Sequence, residues 1–197
     1  MLDICALNRR AVDYSVEIVA HLTPADLDKP TPCSAWKFAD LLAHMTVQHR
    51  GFAAAARGHG ADEAVWQAGP LADDPAAAYA EAAADVLAAY AEPGVLEQDF
   101  ALPEFGPGVT VPGAQAIGFH FIDYVVHGWD AARTLGLPYT LPDDLATPAL
   151  DIAQAVPDTD QRDHPGSPFA RALPVSDAAT PLDRILLSLG RSPSWPN

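Results

Sequence analysis

The sequence predicts an all-α protein built around four long helices. Apolar residues recur at three- and four-residue spacing through four long segments. Helix start and stop residues bracket those segments. Only one short stretch, between the third and fourth segments, offers strand pairing. The chain has 197 residues, 49% of them hydrophobic, enough for one domain with a sizeable core. Residues 1–197 therefore read as a single bundle domain, with a C-terminal extension from about residue 138.

The first helix runs from about Leu2 to Leu22, with Ala11, Tyr14, Ile18 and Leu22 at near-helical spacing, and Thr23-Pro24 closes it. The second is expected to start at an N-cap, Ser34, and to end near Arg57 before Gly58, burying Leu41, Leu42, Met45 and Phe52. The third spans about Pro75 to Ala91, turns Tyr79, Val86 and Tyr90 inward, and stops at Pro93-Gly94. The fourth starts near Pro112, read as a first-turn proline, and ends at Gly136-Leu137-Pro138. Between the last two, Leu96, Phe100 and Leu102 can form a small hairpin with Val109 and Val111. Short extra helices are expected from Pro142 to about Ala155 and from Thr180 to Gly190, with the Asp-, Pro- and Gly-rich residues 156–168 as loop.

Composition excludes some functions. The net charge is −15, and the 11 Lys and Arg form no basic cluster, so neither nucleic acid nor an anionic membrane surface finds a positive footprint. No stretch approaches the ~20 apolar residues of a membrane span. The N-terminal run lacks the charged-then-apolar pattern of a signal peptide, which gives an expectation of a cytoplasmic protein. Cys5 and Cys33 do not make a disulfide framework.

The chemistry is concentrated in Asp123-Tyr124-Val125-Val126-His127. A carboxylate and an imidazole four residues apart lie one above the other on a helix face and can grip a divalent metal. His44, in Asp40-Leu41-Leu42-Ala43-His44, is the candidate third ligand. Two His and one carboxylate leave coordination positions open, as a reactive metal site requires. His120, Asp123, His127 and Asp130 form a single polar stripe in an otherwise very apolar helix. Buried polar groups must be paired or bound to something. The competing reading is a solvated polar face with one His–Asp hydrogen bond. His120 reads as a base behind the ligands or a substrate contact. Asp130 is expected to pair with Arg133 and to orient a ligand imidazole. His21, His49, His59 and His164 read mostly as surface groups. Cys33, placed eleven residues before His44 on one helix, falls ~16 Å from the centre and is expected to stay apart from it.

Thr31-Pro32-Cys33-Ser34-Ala35-Trp36 followed by Asp40-Leu41-Leu42-Ala43-His44 resembles the second-helix signature of the DinB-like metalloproteins. More narrowly, it is similar to the N-terminal domain of mycothiol-dependent maleylpyruvate isomerase. Asp123 to Arg133 resembles that family's fourth-helix signature, and Pro181 to Trp195 looks like the ending of an actinobacterial metal-binding subfamily. The resemblance implies a DinB-like four-helix bundle with zinc, or else nickel, in an open pocket, held by His44, Asp123 and His127. The isomerase commonly has Glu where this chain has Asp123. It also carries a C-terminal domain, for which the sequence suggests no counterpart here.

The expected function is therefore a metal-binding transferase or isomerase that uses a small-molecule thiol of the mycothiol type against an electrophilic substrate, as a monomer or homodimer. The alternative is a non-catalytic, stress-associated metal-binding bundle. A non-haem iron oxygenase, whose ligand set is also two His and a carboxylate, comes third.

Overall fold

The computed structural model describes residues 3–33, 36–164, 167 and 169–196. Four long helices form the bundle: α1 (Ile4–Val19), α2 (Phe38–Ala56), α3 (Pro75–Ala89) and α4 (Gly113–Leu135). Their packing runs in a ring, α1 on α4, α4 on α2, α2 on α3 and α3 on α1. Two shorter helices, α5 (Asp143–Ala155) and α6 (Pro181–Ser188), pack on each other, and α5 also packs on α4.

Local chemistry sets most of the helix ends. Asp3 accepts from the Ala6 amide at 3.0 Å to start α1, and Asp74 accepts from Ala77 at 3.0 Å to start α3, with Pro75 in the first turn. α4 ends on Gly136, whose φ of 73° is the left-handed conformation that glycine adopts without strain. Thr180 and Asp183 cap α6 reciprocally. Pro112 is the residue before α4 and not its first-turn proline, as the sequence suggested.

The expected hairpin is present. Strands β1 (Asp99–Ala101) and β2 (Thr110–Pro112) pair antiparallel, with Phe100 opposite Val111. Phe100 and Leu102 are fully buried and tie this hairpin to the bundle. Gly113, at the start of α4, lets the strand exit pass tightly under the preceding turn. A Cβ there would lie 2.0 Å from the Val95 carbonyl oxygen. Gly113→Ala is therefore expected to lower stability by about 1–3 kcal/mol in denaturant melts. An unchanged melt would mean that residues 95–98 do not pack against α4.

The start of α2 differs from the expectation. Ser34 lies outside the described residues, and the helix itself begins at Phe38, where Asp40 accepts from the Lys37 amide at 3.0 Å. The preceding segment doubles back instead. Pro30 bridges Lys37, the Phe38 amide donates to the Lys29 carbonyl at 2.9 Å, and Thr31 Oγ1 donates to the carbonyls of Cys33 and Trp36 at 3.0 Å each. Two prolines in Lys29-Pro30-Thr31-Pro32 remove the amide donors that a helix would need. This turn carries Cys33 and Trp36 toward α4.

Candidate metal centre and its comparison with known proteins

α2 and α4 bring three sequence-predicted residues together. His44, Asp123 and His127 each offer a donor atom, and those atoms lie within 4.8 Å of one another. Asp123 and His127, one turn apart on α4, approach to 3.3 Å between Oδ1 and Nε2. The His44 and His127 rings meet edge to face at 5.2 Å. Trp36 leans on His44 at 4.8 Å and stacks near His127 at 6.4 Å. Beside His44 opens a cavity of about 540 Å³ lined by Trp36, Asp40, Ala43, His44, Ala68 and Gly69.

Behind this triad lies a fully buried support. Asp130, with no solvent exposure, accepts from His127 Nδ1 at 2.9 Å, from Cys33 Sγ at 3.2 Å and from Arg191 Nη2 at 3.5 Å, all through Oδ2. Arg191 Nη2 also donates to Cys33 Sγ at 3.3 Å. Asp130 thus orients the His127 ring, but its cationic partner is Arg191 and not Arg133. Arg133 donates instead to the Trp195 carbonyl and covers the Trp129 ring.

Cys33 is the larger correction. It sits within hydrogen-bond reach of the group that holds His127, because the doubled-back turn, and not a continuous helix, separates it from His44. Cys33, His127 and Asp130 form a second set of clustered donors. Arg191 already supplies the positive charge in that set, so an added cation would meet repulsion there. In the His44–Asp123–His127 set, His44 lines the cavity, and the positive charge is a proton on His127 that a metal can displace.

The two histidines have opposite protonation. Burial, then the neighbouring His127, push His44 down to about 4, so it is neutral and its ring nitrogen is free to donate a lone pair. Burial opposes charge on His127 too, but Asp123, the Asp130 hydrogen bond and Cys33 outweigh it and push it up to about 10. Burial would raise the Asp130 carboxyl, yet Arg191 and His127 hold it below the ordinary carboxylate range.

His120 stands elsewhere. It is fully buried, with Nδ1 2.7 Å from Asn8 Oδ1 and Nε2 3.1 Å from His49 Nδ1. Both ring nitrogens are engaged in the core, so it touches neither the triad nor the cavity. His49, expected at the surface, is its fully buried partner and stacks on Tyr124 at 4.0 Å. His21, His59 and His164 are exposed as expected. A residue without a sequence signal joins the site from the hairpin. Glu104 Oε2 lies 3.5 Å from Gln48 Nε2, one helical turn past His44 on α2. Glu104 is exposed as a residue, with Gln48 at its carboxyl and Asp123 near enough to act on its charge. Loss of hydration at the carboxyl, together with Asp123, pushes it up to about 7.

Fold and site together define a helical-bundle protein with a candidate metal centre strung between two bundle helices. Residues 8–132 match the family model described as mycothiol maleylpyruvate isomerase N-terminal domain, and the chain belongs to that family. It is 32% identical over 199 aligned positions to two uncharacterized proteins of Mycobacterium tuberculosis, MT0763 of strain CDC 1551 and Rv0738 of strain H37Rv. Those alignments cover 97% of this chain and 99% of each relative. Crystal structures of the mycothiol-dependent maleylpyruvate isomerase and of a histidine-to-alanine mutant superpose with TM-scores of 0.65 and 0.66 at 14% identity. The DinB-like helical fold expected from the sequence is thereby shown. Each superposition covers 96% of this chain and 89% of the isomerase chain.

Proposed function

We propose that this protein is a divalent-metal-dependent transferase or isomerase that uses a low-molecular-weight thiol of the mycothiol type. The observation that carries the reading is the His44–Asp123–His127 donor triad beside a cavity large enough for a small molecule. Two imidazoles and one carboxylate are a donor set that zinc takes with positions left open for a ligand from solution, and the family resemblance adds nickel as the second candidate. When bound, such a metal supplies a Lewis acid that favours the thiolate form of the thiol near neutral pH.

The chain's own residues prepare that site. Asp130 holds His127 by Nδ1, which leaves Nε2 turned to the Asp123 carboxylate. Trp36 braces the His44 ring and walls the cavity. Family membership supports the thiol, because mycothiol stands in the family's description. No helix among the described residues is long and apolar enough to cross a membrane, and the expected cytoplasmic location belongs to the same reading.

The protonation states give a direct prediction. Zinc must replace the proton on His127 Nε2, whereas His44 is already neutral. Loading zinc at pH 7 is expected to release about one proton per metal, and affinity should rise as pH increases toward the His127 value of about 10. Titration calorimetry in buffers of different ionisation enthalpy counts that proton. No release would show that His127 is not the charged member of the set.

Cobalt-loaded protein titrated with N-acetylcysteine tests the function. A sulfur-to-cobalt absorption band in the near ultraviolet, absent from His44→Ala, is the expected result. A cobalt-loaded protein that shows no band would leave the non-catalytic metal-binding alternative.

A further inference from the structure

The connection from α2 to α3, residues 57–74, is far longer than the few residues that usually join bundle helices. Connections of that length are uncommon unless they bind or cover something. Its first part is fixed. The Trp66 ring lies on the backbone of Gly51, where a Cβ would stand 2.2 Å from the ring, and it meets Phe52 edge to face at 5.4 Å. Its indole N–H donates to the Gly60 carbonyl at 2.9 Å. The last part is fixed too, because Asp74 caps α3 and Pro75 stands in its first turn.

Between these anchors runs Gln67-Ala68-Gly69-Pro70-Leu71-Ala72-Asp73. The Gln67 amide donates to the Ala64 carbonyl at 3.3 Å, but residues 68–73 make no hydrogen bond or ion pair with any of the described residues. Every residue of the segment is exposed except Leu71, which is half-buried against the core. Exposed backbone, missing hydrogen bonds and a single apolar contact mark a segment that opens at low free-energy cost. The same segment reaches the metal centre. Ala68 and Gly69 line the cavity together with Trp36 and His44. The stretch without hydrogen bonds is thus the one that walls the cavity.

We propose that residues 67–73 are a gate to the cavity, latched by Leu71, and that small molecules reach His44 when Leu71 lifts from the core. The segment hangs between Trp66 and Asp74, so it swings while α2 and α3 stay in place. A closed gate shields a bound ligand from bulk water, as lids over reactive sites do. Calling that ligand a thiol rests on the thiol-dependent reading, whereas the gate itself does not.

The test uses the full, metal-free chain and diethyl pyrocarbonate, which acylates accessible imidazoles. Each histidine is followed by peptide mass spectrometry. Exposed His21, His59 and His164 set the reference rate, and fully buried His49 and His120 report that the fold is kept. Leu71→Ala is expected to raise the His44 rate about fivefold, the shift in opening that follows loss of a half-buried leucine contact. Gly69→Ala is expected to lower it about twofold by restricting the mobile chain. A Cβ at Gly69 would meet nothing within 4 Å, so the resting structure accepts the substitution. An unchanged His44 rate in Leu71→Ala, or a rate that does not fall in Gly69→Ala, would overturn the proposal. Should His49 become reactive in Leu71→Ala, the result in Gly69→Ala alone decides. Zinc-loaded samples are run beside these. Protection of His44 by zinc is the result that the metal reading expects. No protection would defeat that reading, while the metal-free rates still decide the gate.

Discussion

Acidifying the metal-free protein from pH 7 to pH 4 is expected to unfold it cooperatively. Three histidines are held neutral inside the fold. Burial pushes His44 down to about 4 and His120 down to about 3, and burial with the neighbouring His120 places His49 well below its ordinary value. In the unfolded chain each takes up a proton near pH 6.5. Between that pH and the folded values the unfolded state binds more protons, so stability falls as pH falls. Each such proton contributes a slope of about 1.4 kcal/mol per pH unit. Three together give about 4 kcal/mol per unit near pH 5; Glu104, pushed up to about 7, opposes them between about pH 4.5 and 7 and leaves about 3 kcal/mol per unit, against a total stability of about 5–15 kcal/mol for a domain of ordinary size. The paired carboxylates, such as Asp26 at about 2, lose their contribution only below about pH 4, outside this window. His127 has the opposite sign. Its raised value adds stability that is full below pH 6.5 and is lost as pH rises toward 10. The metal-free protein should thus be most stable near pH 6.5. Thermal melts at half-unit intervals measure this directly. A melting temperature that stays flat from pH 7 to pH 4 would contradict the burial of His49 and His120.

The second large effect concerns Asp130. Asp130→Ala removes the acceptor shared by His127, Cys33 and Arg191 and leaves two buried cationic groups facing each other. Breaking a buried ion pair from one side costs about 3–5 kcal/mol. The same change frees the His127 ring to rotate, and loss of such a supporting hydrogen bond lowers metal affinity about 10- to 100-fold. Asp130→Asn keeps the shape and an acceptor oxygen, so it should lose less stability while still weakening the metal. Denaturant unfolding and zinc competition with a chromophoric chelator give the two readouts. Full zinc affinity in Asp130→Ala would show that His127 needs no such support.

The bundle was legible because its signals are local. Periodic apolar residues, Asp74-Pro75, Gly136 and Thr180-Pro181 mark helices and their ends without reference to the rest of the chain. The stripe on α4 was legible for the same reason, and so was the resemblance of its residues to a known family. Contacts that depend on chain reversal were not. Cys33 reaches Asp130 because Lys37 pairs back on Pro30, and Pro30 and Pro32 were the available warning against a helix starting at Ser34. His49 continues the Met45 and Phe52 stripe of α2, a spacing that signals burial, yet its partner His120 lies 71 positions away. Glu104 and Arg191 carried no periodic signal. One sits in a three-residue turn of the hairpin and the other in the tail after α6, and only the tertiary fold gives them neighbours.

Metal content per chain, measured by elemental analysis on tag-free protein beside His127→Ala, decides whether His44, Asp123 and His127 hold a metal. About one zinc or nickel per chain is expected, lost in the variant while the fold is kept. A folded protein that takes up no metal after reconstitution, or a His127→Ala variant that retains it, would contradict the assignment of His44, Asp123 and His127 as the metal centre.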